Sequence, residues 1–410
     1  MQQTPKANRL HIAIFGRRNV GKSSLINALA NQDLALVTPV PGTTADPVYK
    51  SMELPALGPV VFIDTAGIDD EGSLGELRVK KTREALSQAD LALLVFSGEN
   101  QDLALEEEWL KQLREQQPPL PVIGVLNKID LFPADPEKLK KRLSLPVVPV
   151  SAKSKENLER LRQAIEKEAP KDYERASIVG DLLPAQSTVV LVTPQDIQAP
   201  KGRLILPQVQ TIRDLLDHRM ITLIVQETEL EKAMQILSTK ARLVITDSQI
   251  FHQVKEIVPR EIPLTSFSIL MARYKGDLPT LAAGARAIGL LEPGDQVLIA
   301  EACTHHPLEQ DLARAKLPFW LQKKVGGPLD IQVAAGRDFP EDLSPYRLVI
   351  HCAGCMFNRK QMLQRIAQAR RQKVPITNYG VTIAYLNNIL DRALEIFAGG
   401  ADRSSPSRRE

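Results

Sequence analysis

Short apolar runs bounded by turn residues alternate along this chain with longer stretches in which apolar positions recur at helical spacing. Runs that are apolar at nearly every position suit strands covered on both faces, and their alternation with helices argues for parallel sheets in an α/β fold. Residues 10–15 form the first such strand, followed by a glycine-rich turn and a helix through Ala30. Further strands are expected at 60–63, 122–126 and 148–150. A helix over 157–167 precedes a charged, proline-containing run, so the first domain should close near residue 172. From 177 onward the expected order is strand 188–193, helix 209–217, strand 221–226, helix 230–237, strand 243–246 and a segment at 250–257. Pro263 opens a third unit. It has a helix over 268–288, a strand 296–300, a helix 308–323, strands at 330–333 and 346–350, a helix from Asn358, a strand 376–379 and a helix 382–397. The reading is three α/β domains, at 1–172, 177–260 and 263–397, with a polar, disordered tail at 398–410.

The first domain carries the clearest chemistry. Its strand leads into Gly16-Arg17-Arg18-Asn19-Val20-Gly21-Lys22-Ser23 and then a helix, the context a P-loop requires. Glycines let backbone amides turn toward phosphates, and the helix N-terminus adds positive potential. Lys22 can reach the β- and γ-phosphates, Ser23 can ligate Mg²⁺, and Ser24 completes the cradle. The second strand ends in Asp64-Thr65-Ala66-Gly67, where Asp64 can hold Mg²⁺ through water and the Gly67 amide can meet the γ-phosphate. The third delivers Asn127-Lys128-Ile129-Asp130. A carboxylate at Asp130 accepts from both N1–H and the 2-amino group of guanine, neither of which adenine offers, so GTP is selected over ATP. Ser151-Ala152-Lys153 then forms a loop suited to backing the base. Between the P-loop and Asp64, Pro41-Gly42-Thr43-Thr44-Ala45-Asp46 is a polar switch, with Thr44 closing over Mg²⁺. Lys22, Thr44 and Gly67 thus surround the reacting phosphate.

Together these motifs resemble the TrmE-Era-EngA family of GTPases, although Ala45 stands where that family usually has Arg. Ile68 occupies the place of the water-orienting Gln of Ras-like enzymes, which predicts slow intrinsic hydrolysis. By the same resemblance Asn19 is a K⁺ ligand, the ion standing in for an arginine finger; the plain alternative is that Asn19 stabilises its loop.

Bulk properties narrow the partners. Among 410 residues, 52 basic and 49 acidic side chains leave a net charge of +3, which gives no field favouring nucleic acid or anionic lipid. The N-terminal residues lack the apolar run of a signal peptide, and no segment approaches a membrane span of about 18 apolar residues. Three cysteines grouped by spacing are no disulfide framework, so a reduced, cytoplasmic protein is expected. The middle domain has no cysteine, and its His218 and His252 lack spaced partners, so association or transmission of the switch is its expected role.

All three cysteines fall in the third domain. Cys303-Thr304-His305 follows one predicted strand and His351-Cys352-Ala353-Gly354-Cys355 another. Strand C-terminal ends are where open parallel sheets place their sites, so the two runs can converge across 49 positions. Buried core thiols are the bland alternative; clustering with histidine favours a metal. Cys₃His zinc, closed by His305 or His351, is one candidate. The other is a 4Fe-4S cluster on three thiolates, with His, Glu301, water or an external ligand at the fourth iron. Spacing leaves these two open.

Cys-x-His, a gap of 45 residues, then His-Cys-x-x-Cys, downstream of a P-loop GTPase domain, resembles the HydF family of FeFe-hydrogenase maturation GTPases. The resemblance covers the chain to about residue 397. It implies a 4Fe-4S cluster on Cys303, Cys352 and Cys355 in a Rossmann-like domain, with an exchangeable fourth position for which Glu301, His305 and His351 are candidates. It also implies a homodimer built on the middle domain, and a scaffold that receives a diiron precursor from radical-SAM maturases and passes it to apo FeFe-hydrogenase. The competing reading is an Era-like ribosome-assembly GTPase with a zinc-binding appendage. It expects a basic, aromatic RNA surface, which 4 per cent aromatic content does not supply.

Overall fold

A computed structural model describes residues 9–30, 48–54, 57–65, 85–99, 102–116, 119–170, 177–194, 204–237, 240–302, 315–336, 338–354 and 357–398. The chain forms two compact units, Met1–Arg175 and Ala176–Glu410. The mixed α/β class expected from the sequence is the class observed.

In the first unit six strands, β1 (Leu10–Phe15), β2 (Val48–Leu54), β3 (Gly58–Asp64), β4 (Leu91–Ser97), β5 (Val122–Asn127) and β6 (Val147–Pro149), form one sheet in the order β2-β3-β1-β4-β5-β6. All neighbours are parallel except β2 and β3. Strand periodicity divides each central strand between two cores: Ile12 and Ile14 face one way with Phe62, Leu93 and Val95, while Ala13 and Phe15 face the other with Ile63, Leu94 and Phe96. With both faces buried, alternation of polar residues disappears, which is why these strands read as continuous apolar runs. Strand β2 has no counterpart in the sequence expectations. It is an edge strand whose residues are mostly half-buried or exposed, so Lys50, Ser51 and Glu53 interrupt any apolar signal.

The second unit holds two parallel four-stranded sheets. One contains β7 (Thr188–Val192), β8 (Ile221–Val225), β9 (Ala241–Thr246) and β10 (Leu264–Ser266) in the order β10-β9-β7-β8. The other contains β11 (Gln296–Glu301), β12 (Asp330–Ala335), β13 (Leu348–His351) and β14 (Ile376–Asn378) in the order β12-β11-β13-β14. A single core joins them: Val190, Val192 and Val244 share a cluster with Leu298, Ala300 and Val349. Residues 264–266, at the start of the third domain expected from the sequence, supply the fourth strand of the first sheet by pairing with Val244–Thr246. Three residues are too few to show a strand period.

The long helix expected over 268–288 is two helices, Phe267–Lys275 and Leu278–Arg286. Gly276 ends the first, and Asp277 caps the second by accepting from the Thr280 amide at 3.3 Å. The helix expected over 382–397 likewise divides into Tyr379–Leu386 and Leu390–Ala398, with Asn388 at φ +56° in the turn between them. Among the described residues no helix is long and apolar enough to cross a membrane.

Candidate functional site

The P-loop follows β1 and opens the helix Lys22–Ala30. Two of its glycines are dictated by geometry. Gly16 has φ +153° and a Cβ there would stand 2.2 Å from the Val95 carbonyl oxygen; Gly21 has φ +93° and its Cβ would stand 2.4 Å from Asn127 Nδ2. Asn19 sits between them, exposed, in the left-handed region at φ +59°. Lys22 is buried and its Nζ donates to the carbonyls of Gly16 at 2.8 Å and Arg17 at 2.9 Å, which holds the ammonium inside the loop.

Ser23 donates through Oγ to Asp64 Oδ2 at 2.5 Å, so the helix start and the end of β3 meet where Mg²⁺ chemistry was expected. Asp64 Oδ1 is buried and has no hydrogen-bond partner among the described residues. Burial pushes the Asp64 carboxyl above its ordinary value, against the lowering effects of Ser23, Lys22 and Lys50. An unshared carboxylate oxygen beside a serine hydroxyl is a donor set that a hard divalent cation fits. Ser24 is exposed beside Ser23.

The residues expected to recognise the base form one network with the P-loop. Asn127 ends β5 almost completely buried; its Nδ2 donates to the Val20 carbonyl at 2.9 Å and its Oδ1 accepts from the Ala152 amide at 3.1 Å. Ser151 donates to Asp130 Oδ1 at 2.6 Å and accepts from the Ser154 amide at 3.1 Å. Lys128 adopts φ +61° and lies 3.6 Å from Glu99, while Lys153 is exposed. Thr44 and Gly67 lie outside the described residues.

In the second unit β11 and β13 are parallel neighbours with Ala300 paired to His351, so the strands that precede the two expected ligand runs lie side by side. The Cys352 amide donates to the Ala300 carbonyl at 2.8 Å, and Cys352 Sγ accepts from the amides of Ala302 at 3.1 Å and Gly354 at 3.4 Å. Ala302 immediately precedes Cys303 in the sequence. Glu301, the last residue of β11, is buried. Cys303, His305 and Cys355 lie outside the described residues, and among those described no three metal-ligating side chains come together.

Two cations that sequence reasoning missed support this loop, Lys275 buried and Arg365 half-buried. Lys275 Nζ donates to the carbonyls of Gly354 at 3.2 Å and Phe357 at 3.0 Å. Arg365 lies 2.7 Å from His351 Nε2 and stacks against Phe339 and Phe357. Burial, with Arg365 adding to it, lowers the His351 imidazole to about 3, so it is neutral; burial lowers Arg365 to about 10, opposed by Cys352, so it stays charged. Nothing marks Arg365 among the other arginines of Arg359–Arg371, and Lys275 reads as an ordinary basic helix end. Amide donors on a sulfur and cations beneath its loop are the surroundings a thiolate fits.

Comparison with known proteins follows the same division. Residues 11–128 match the family described as 50S ribosome-binding GTPase, residues 178–276 the hydrogen maturase F dimerization domain, and residues 279–396 the hydrogen maturase F tetramerization domain. The last two together span more than half of the chain. Similar curated proteins include the tRNA modification GTPases MnmE of Nitrosomonas europaea, 39% identical over 161 residues, and of Synechococcus elongatus, 40% identical over 166 residues. These matches cover 39% and 38% of this chain and 35% of each relative, so the chain spans about a third of the relatives' length. Among solved structures, the G domain of the T. maritima FeoB iron transporter aligns at 28% identity, covering 39% of this chain and 98% of that one, with a TM-score of 0.32.

Proposed function

The chain belongs to the hydrogen maturase F family, and from that premise we propose that it is a GTP-hydrolysing scaffold that holds a 4Fe-4S cluster and carries a diiron precursor to apo FeFe-hydrogenase. The observation that carries the cluster half is the Ala302 amide on Cys352 Sγ, because it brings the chain to the Cys352 sulfur one residue before Cys303. Cys303, Cys352 and Cys355 would hold the cluster, with Glu301, His305, His351 or an external ligand at the fourth iron. Bound there, the cluster would supply an iron with an exchangeable coordination position. The protein's part is to orient Cys352 through two amide donors and to offset thiolate charge with Lys275 and Arg365.

For the nucleotide, Lys22 exchanges its loop carbonyls for the β- and γ-phosphates of GTP, and Ser23, Asp64 and Thr44 would hold Mg²⁺, which supplies charge neutralisation at the transferring phosphoryl. Asp130, oriented by Ser151, accepts from the guanine edge, and Asn127 ties that loop to the P-loop through Val20. Asn19 would hold K⁺, and Gly67 would contact the γ-phosphate. Hydrolysis drives association and release of radical-SAM maturases and the apo-hydrogenase. The middle domain supplies a homodimer contact, a role supported by the exposed Ile221 and Ile224 on its edge strand β8.

The test is anaerobic reconstitution of the wild type and of Cys303→Ala, Cys352→Ala and Cys355→Ala, followed by iron analysis and EPR. A 4Fe-4S signal in the wild type that each variant weakens or loses is expected, together with activation of apo-hydrogenase after loading by the maturases. Stoichiometric zinc without iron, or a loaded protein that activates nothing, would overturn the proposal.

A further inference from the structure

Both ring nitrogens of His351 are engaged by the protein. Nε2 lies 2.7 Å from Nη1 of Arg365, and Nδ1 lies 2.8 Å from the Cys352 carbonyl oxygen. A guanidinium has only donors, so Nε2 must present its lone pair and the imidazole proton must sit on Nδ1, donating to that carbonyl. Arg365 is itself immobilised: its Nη2 donates to the Gly336 carbonyl at 2.8 Å, and its Cζ lies 4.3 Å and 4.4 Å from the ring centroids of Phe339 and Phe357. The same two rings flank His351, with centroids 6.5 Å and 5.8 Å from the imidazole. The result is a rigid stack reaching from the helix Arg359–Arg371 to the backbone of the expected ligand Cys352.

Resting on the cluster site proposed above, we propose that Arg365 is a positioning residue for that site. It fixes His351 as the Nδ1–H tautomer with neither nitrogen available to iron, and it holds a positive charge beside the Cys352 loop. His351 thereby leaves the set of fourth-ligand candidates and becomes a strut for the Cys352 peptide. Reduction adds negative charge to a cluster, so the guanidinium favours the reduced form.

The experiment uses the full-length protein labelled with ¹⁵N-histidine, reconstituted as wild type, Arg365→Lys, Arg365→Met and His351→Gln. In wild type we expect no directly iron-coordinated nitrogen from His351 in pulsed EPR of the reduced cluster. We expect Arg365→Met, at equal iron content, to shift the reduction potential to more negative values, and Arg365→Lys to restore most of that shift. A strong nitrogen coupling that His351→Gln abolishes, or an unchanged potential in a fully loaded Arg365→Met protein, would overturn the proposal. Should the methionine variant fail to load, ¹⁵N NMR of the wild-type chain decides: Nδ1–H with an unprotonated Nε2 supports the proposal, and Nε2–H refutes it. Wild type that takes up zinc and no iron defeats the proposed function, yet the tautomer measurement still decides this inference.

Discussion

Asn127 offers the sharpest test of how the nucleotide site is held together. It is 1% exposed, its Nδ2 donates to the Val20 carbonyl, and its Oδ1 accepts from the Ala152 amide. Asn127→Ala removes both partners at once. Each buried backbone group left unsatisfied costs about 1–3 kcal/mol, so the loss is about 2–5 kcal/mol after partial relaxation. In a unit of this size each kcal/mol moves the midpoint by about 2–4 °C, which predicts a fall of about 5–15 °C. Asn127→Asp separates the hydrogen bond from the shape. It keeps the acceptor for Ala152 but points an oxygen at the Val20 carbonyl, 2.9 Å from where the donor stood. Two acceptors facing each other in a buried site should cost at least as much as the alanine. Differential scanning calorimetry would follow the transition that GDP stabilises, and nucleotide titration would follow affinity, which should fall because Val20 lies within the P-loop. An Asn127→Asp protein melting within about 2 °C of wild type and binding GDP normally would refute the claim that Asn127 couples the two loops.

Three further outcomes are expected. Asp130→Asn places donors opposite the guanine donors and should weaken GTP by about 3–4 kcal/mol, several hundredfold, while improving binding of xanthosine triphosphate; an unchanged base preference in competition assays would remove Asp130 from base recognition. Asp64 has its carboxyl raised by burial, so it contributes stability below its unfolded pKa, and that contribution is lost as pH rises through the higher folded value. Asp64→Asn should therefore raise the melting midpoint of the metal-free protein at pH 7 while abolishing Mg²⁺-dependent turnover; a lowered midpoint at pH 7 that does not recover in acid would contradict the desolvated-carboxylate account. GTP turnover should be faster in K⁺ than in Na⁺, and Asn19→Ala should erase the difference; equal wild-type rates would remove the K⁺ role.

The nucleotide site was legible because its chemistry is local. Each motif occupies a few consecutive residues at a strand end, and strand order then brings the ends together: β1, β3 and β5 deliver the P-loop, Asp64 and Asn127 to one edge of a parallel sheet. What stayed hidden was set by neighbours distant in sequence. Strand β2 is defined by its pairing with β3, and β10 by its pairing with β9, while its three residues carry no period of their own. The break after Lys275 turns on Gly276 and Asp277, a C-cap and N-cap in succession, between two apolar segments that read as one helix.

The cysteine site shows the same division more strongly. His351-Cys352 and Glu301-Ala302-Cys303 hold the residues expected to be ligands, and the register of β11 against β13 brings their strands together. Yet what engages His351 comes from elsewhere, since Arg365 lies 14 residues beyond it on the following helix and meets it only after folding. Lys275 is more remote still, 79 positions from the Gly354 carbonyl it donates to, on a helix whose first residues pack in the core of the other sheet. Ser266, the cap of that helix, and Lys275 lie at its two ends, so one helix connects the end of β10 to the Cys352 loop. The two sheets of the second unit therefore share a core and also a polar connection, from the edge of the dimerization sheet to the loop expected to hold the cluster.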